Sequence, residues 1–140
     1  MQESAPEILV PITEGVTEYK TEAGDLSFVL LDKNLVQLKK NIKELSLDNL
    51  ADYDKIIINS VIRTRHNSDR FTFPFAQHSS SLKNLYREKG MDARQRAGKI
   101  FIANDEHILW SEVFGVSKFA AVGKDTKNIV KINFRRKYNA

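Results

Sequence analysis

The stretch Lys55–Phe75, KIIINSVIRTRHNSDRFTFPF, carries the first arginines of the chain and three alternating phenylalanines. Its first half, Ile56–Thr64, is rich in β-branched residues, which favour a strand. Its apolar residues also fit helical spacing, so a helix is the alternative prediction for that half. The polar residues 66–69 are typical of a turn. The stretch therefore predicts a β-hairpin in which Ile56–Thr64 pairs with Phe71–Phe75.

Charge changes sign at this stretch. Residues 1–62 have a net charge of −5, residues 63–99 of +6, and residues 100–140 of +3. All the arginines lie after residue 62. Arginine is the side chain best suited to bidentate phosphate and carboxylate contacts. This segregation of arginine is therefore more informative about function than the net charge of +4.

Periodicity assigns most of the remaining chain. Alternating or continuous apolar residues predict strands at residues 7–12, 16–21, 26–31, 99–103 and 128–135. We expect the continuous run Leu26–Leu31 to be buried on both faces. Caps and apolar stripes predict a helix that begins at Asp32 or Asn34 and ends at Leu45, and further helices at residues 47–51, 82–89 and 106–114. The serines at 79–81 and Gly90 are the expected ends of the helix over 82–89, and Asn104 or Asp105 would cap the last one. A helix-turn-helix over 106–121 also fits, but core packing explains its aromatic residues better.

These elements predict one α+β domain over residues 1–140, with a mainly antiparallel sheet and three or four helices. Residues 1–6 are expected to form a flexible tail. The size is that of a single domain with its own core.

Composition excludes several classes of protein. The chain has no cysteine, which rules out disulfides and thiolate metal sites. No signal peptide is evident, and no apolar run approaches the length of a membrane span. We therefore expect a soluble, cytoplasmic protein without a membrane partner. No glycine-rich phosphate loop occurs, and we expect neither a cofactor nor a metal.

The basic segment favours a non-catalytic nucleic-acid-binding protein, with DNA or RNA as the partner. Such a surface needs cations spaced along a phosphate backbone and aromatic groups for stacking. The predicted contacts are Arg63, Arg65, Arg70, Lys83, Arg87, Arg94, Arg96, Arg135 and Arg136.

Two alternatives remain open. The acidic and basic halves would also suit a structural or assembly protein that associates with itself or with another protein. A small metal-dependent nuclease is the third hypothesis, with His66 as general base, Asp69 as metal ligand and Arg70 as phosphate clamp. We favour a protein that is not an enzyme, with the question of catalysis left open.

Overall fold

Two antiparallel sheets form the body of the chain in the computed structural model, which describes residues 7–32 and 49–137. The first sheet has five strands, in the order β1 (Leu9–Pro11), β5 (Val61–Thr64), β8 (Ile100–Ala103), β9 (Ile108–Ser111) and β10 (Gly115–Val116). The second has four, in the order β2 (Glu18–Lys20), β3 (Gly24–Leu31), β11 (Ile129–Arg136) and β4 (Leu50–Asp52). A two-stranded sheet joins β6 (Arg70–Phe71) to β7 (Ser80–Ser81).

The predicted α+β class is wrong, because antiparallel sheet dominates the described residues and their helices are short. These helices are α1 (Tyr53–Ile56), α2 (Leu82–Glu88) and α3 (Ala93–Ala97). The long helix predicted to end at Leu45 falls mostly on residues 33–48, outside the described ranges. Within those ranges, none of the helices has the length and apolar character needed to cross a membrane.

The main core lies between the two large sheets. It takes Ile62 and Ile102 from the first sheet and Phe28 and Ile132 from the second. A second cluster packs on the other face of β8, where Phe101 contacts residues of β6 and α2. Because its side chains alternate between two cores, β8 is buried along its whole length. This explains its continuous apolar sequence.

The hairpin predicted from Lys55–Phe75 is wrong. Ile56 ends the one-turn helix α1, only Val61–Thr64 form strand β5, and Asn59 between them has a positive φ of 51°. Strand β5 pairs with β1 and β8, both distant in sequence. Phe71 instead pairs with Ser80. Turn residues identify a reversal of the chain, but they do not decide which strands pair.

The predicted helix over residues 106–114 is also wrong, because the segment contains β9 and the turn that leads to β10. Asn104, a predicted helix cap, caps a turn: its Oδ1 accepts hydrogen bonds from the backbone N–H groups of Glu106 and His107. A buried strand is continuously apolar, and such a run also fits a helix.

Two local predictions are confirmed. Ser81 caps α2, its side chain accepting from the N–H of Asn84, and Gly90 follows the helix with a φ of 77°. Strand β11 alternates as expected, with Val130 and Ile132 buried and Lys131 exposed. Strand β3 differs from its prediction, since Leu30 is 60% exposed and one face is therefore open.

Candidate functional site

The β6–β7 hairpin carries an eight-residue loop, 72–79, that the rest of the fold holds in place. The backbone N–H of Ala76 donates to the carbonyl of Phe73 at 3.0 Å, which closes a turn over Pro74 and Phe75. Lys118 attaches this loop to the body: its N–H donates to the Thr72 carbonyl and its Nζ to the Ala76 carbonyl. The loop therefore has defined contacts with the body at its start and beyond its turn.

Aromatic rings run from the second core to the tip of this loop. Phe71 is 1% exposed, and its ring centroid lies 5.0 Å from that of Phe73 and 5.9 Å from that of Phe114. Phe73 stacks on Phe75, with centroids 5.5 Å apart and an interplanar angle of 19°. Phe75 is 86% exposed. The buried rings of this series therefore support Phe75, whose ring is exposed to solvent.

A cleft of about 840 Å³ lies beside the hairpin. The hairpin, the segment before it, the β8–β9 turn and residues 118–119 form its walls. His66, His78 and His107 all line it, although they are far apart in sequence. His107 stacks on Phe119, with ring centroids 3.5 Å apart. The described residues contain no group of three metal-ligating side chains, so the histidines do not form a metal site there.

The charges of the cleft differ between its two sides. Arg70 lies on the hairpin and Lys118 donates to the hairpin loop, whereas Asp105 and Glu106 belong to the β8–β9 turn. Asp69 also lines the cleft, but Arg63 neutralises it. Because anions favour the side that has cations without carboxylates, the hairpin side is the one suited to phosphate.

The Arg63–Asp69 pair also bears on the nuclease hypothesis. Arg63 donates to both carboxylate oxygens of Asp69, at 2.8 and 2.9 Å, and the N–H of His66 donates to Oδ2 at 2.7 Å. These hydrogen bonds hold the turn after β5. A carboxylate engaged in this way is a structural group and is not free to bind a metal.

Arg136 is the second predicted contact that forms an ion pair. Its Nε and Nη2 donate to Glu112 at 2.6 and 2.7 Å, and Nη2 also donates to the carbonyl of Gly98. The hydrogen bonds to Glu112 raise the pKa of Arg136 above its usual value, against a smaller opposing effect of burial. Arg136 therefore joins β11 to the end of α3 and to the β9–β10 turn.

Five of the predicted cations are exposed and have no carboxylate partner among the described residues: Arg70, Lys83, Arg87, Arg94 and Arg135. Arg70 is oriented by Ser79, to whose Oγ and carbonyl oxygen it donates at 2.8 and 3.0 Å. Arg87 already donates to the Asn84 side chain on its own helix. We call the other four, Arg70, Lys83, Arg94 and Arg135, the free cation set.

The remaining predicted contacts each have a neighbouring group within the protein. Arg87 donates to the Asn84 side chain, and Arg96 donates to the Met91 carbonyl. Arg65 is half-buried and close enough to Tyr86 to act on it electrostatically. Burial nonetheless raises the pKa of Tyr86, whose hydroxyl has no hydrogen-bond partner in the described structure.

Sequence reasoning missed Lys118, Phe119 and Glu112. Nothing local distinguishes Lys118 from other surface lysines, since its role depends on contact with Ala76, 42 residues earlier. Phe75 was predicted only as part of an alternating strand. The run of aromatic residues around Pro74 was the available signal for an exposed loop.

Comparison with known proteins relates the chain to one family. A family model described as TilS substrate C-terminal domain matches residues 61–133. The tRNA(Ile)-lysidine synthase of Dehalococcoides mccartyi (strain CBDB1) is 25% identical over 95 residues, which are 68% of this chain and 20% of that protein. The chain thus spans about a fifth of the length of this curated relative.

A solved structure shows the same fold. The crystal structure titled TILS C-terminal domain superposes with a TM-score of 0.70, covering 96% of this chain and 100% of the other. Sequence identity is 14%, so this match supports the fold alone.

The matches overturn the function predicted from sequence. They relate the chain to a domain of a tRNA-modifying enzyme, so its prediction as a non-catalytic nucleic-acid-binding protein is wrong. The same matches contradict the assembly and nuclease alternatives.

Proposed function

We propose, because the chain belongs to the family of TilS substrate C-terminal domains, that it holds the tRNA substrate of a tRNA-modifying enzyme. The name of the Dehalococcoides relative states that it makes lysidine in tRNA(Ile). We extend that substrate class to this chain. In this role the chain contributes binding and orientation of the tRNA to the enzyme's reaction.

The free cation set is the observation that carries the proposal. Arg70, Lys83, Arg94 and Arg135 expose their charges, and no described carboxylate neutralises them. A cation that gains a phosphate partner releases condensed counterions, so each such contact strengthens RNA binding and makes it dependent on salt.

Arg63 and Arg136 have a different role in this proposal. Their guanidinium groups are engaged by Asp69 and Glu112 through bidentate hydrogen bonds. An arginine that already satisfies a carboxylate would lose those hydrogen bonds by turning to a phosphate. We therefore propose that these two arginines stabilise the fold and that the free cation set contacts the RNA directly.

A binding measurement tests the proposal. The 140-residue chain is titrated against labelled tRNA(Ile) transcript over a series of salt concentrations, with duplex DNA of equal length as the control. We expect tRNA to bind more tightly than DNA, with an affinity that falls steeply as salt rises, by a log–log slope of about −3 for four phosphate contacts. Absence of tRNA binding at about 50 mM salt, or equal affinity for the DNA, would contradict the proposal.

A further inference from the structure

We infer that Phe75 is a stacking platform for one unpaired nucleobase of an RNA, and that Arg70 and Lys118 bind the adjoining phosphates. This inference rests on the proposed tRNA-binding function and adds to it a single-stranded feature of the RNA. Phe75 has the highest exposure among the described large hydrophobic side chains, at 86%, whereas the next, Leu9, is 65% exposed.

The exposed position of Phe75 is built into the loop. The turn from Phe73 to Ala76 contains Pro74, whose ring fixes one backbone angle. One face of the Phe75 ring rests on Phe73, whose ring in turn packs against Phe71 and Phe114. The opposite face is left to solvent. A base that stacks there continues an existing aromatic series, and little conformational entropy is lost because the ring is already supported.

Charge around the loop suits a nucleotide. Residues 70–81 contain no acidic side chain. The Nζ of Lys118 lies 3.0 Å from the carbonyl oxygen of Ala76, the residue next to Phe75. Arg70 is fixed across the hairpin by Ser79 and has no carboxylate partner in the described structure. Aromatic rings beside cations without acids are what single-stranded nucleic-acid sites use.

A double-stranded RNA would not use this feature. Bases within a duplex are stacked on their neighbours, so their faces are not available to a protein side chain. An unpaired base at an end, loop or bulge offers a free face. The ligand that fits Phe75 is therefore an unpaired base with its flanking phosphates.

The experiment compares two RNA stems that differ in one feature. One stem is blunt, and the other has a short unpaired tail that contains 2-aminopurine, a base whose fluorescence falls when it stacks. Both are titrated with the 140-residue chain, with its Phe75→Ala and Phe75→Trp variants, and with Ile58→Ala as a control that removes another exposed apolar side chain, 61% exposed. Thermal melting checks that the variants fold.

We expect the parent chain to bind the tailed stem more tightly and to quench its 2-aminopurine. Phe75→Ala should weaken binding of the tailed stem about 5-fold or more and leave the blunt stem unchanged. Phe75→Trp should retain the tail preference, and Ile58→Ala should match the parent.

Several outcomes would overturn the inference, and they separate it from the proposed function. If Phe75→Ala binds both stems as the parent does, the inference fails while tRNA binding stands. Equal weakening of both stems also overturns it. If the parent binds neither stem and no tRNA at low salt, the inference and the proposed function fail together.

Discussion

Arg136 at the end of β11 and Glu112 after β9 form a bidentate ion pair, with N–O distances of 2.6 and 2.7 Å. The pair connects the two large sheets, since β11 lies in the four-stranded sheet and β9 in the five-stranded one. The two side chains are 26% and 11% exposed. The pair therefore fastens the two sheets together at one end, in a partly desolvated position.

Loss of this pair should destabilise the protein. We expect Arg136→Ala to lower the free energy of unfolding by about 1–3 kcal/mol, because Glu112 is left without its bidentate partner. The neighbouring Arg135→Ala, which removes an exposed arginine without a carboxylate partner in the described structure, should change it by less than about 0.5 kcal/mol. Urea unfolding measures both values. Equal effects of the two substitutions would contradict a structural role for Arg136.

Gly24 should tolerate no side chain. Its φ is 155°, and a Cβ there would overlap the Arg135 carbonyl oxygen on the paired strand β11. We expect Gly24→Ala to destabilise the protein by about 2 kcal/mol or more, because the strands must move apart or the backbone must change. Gly15→Ala is the matched control, since its φ is also positive, at 89°, and nothing lies within 4 Å of its added Cβ. A Gly24→Ala variant that melts with the control would refute the β3–β11 register.

The buried hydroxyl of Tyr86 should be dispensable. Tyr86 is fully buried and its hydroxyl has no hydrogen-bond partner in the described structure. Because a buried unpaired polar group costs free energy, Tyr86→Phe should leave the melting temperature unchanged or raise it.

Tyr19→Phe provides the comparison for Tyr86. The Tyr19 hydroxyl accepts from the N–H of Thr13 at 2.9 Å and donates to its carbonyl at 3.0 Å. Its removal should therefore cost about 1–2 kcal/mol. If thermal melting shows Tyr86→Phe to be the more destabilising of the two substitutions, the Tyr86 hydroxyl is not the unpaired group described above.

Features set by local sequence were predictable. The alternation of Val130, Lys131 and Ile132 identified β11, because the two-residue period follows from the strand itself. Ser81 and Gly90 identified α2 through the chemistry of helix ends.

Pairing across the chain was not predictable from one sequence. Strand β5 joins β1 and β8, although the nearest β-rich segment in sequence begins at Phe71. Ile108–Trp110 is buried on both faces in β9, and this burial removes the alternation that separates a strand from a helix.

The candidate site was likewise predictable only where local sequence decides it. The segregation of arginine located the basic region, and most of the free cation set comes from it. Sequence could not tell which arginines are free. Glu112 lies 24 residues before Arg136, and only the packing of the two sheets brings them together.

The central claim is that the free cation set binds tRNA. The most direct test replaces Arg70, Lys83, Arg94 and Arg135 together by glutamine. Its control replaces four other exposed cations, Lys20, Lys55, Lys124 and Lys127, by glutamine and so removes the same charge. Affinity for tRNA(Ile) transcript is measured for both over a salt series. We predict that only the first variant binds more weakly, with a log–log salt slope shallower by about 1 for each phosphate that is no longer bound; equal weakening in the two variants would contradict the claim.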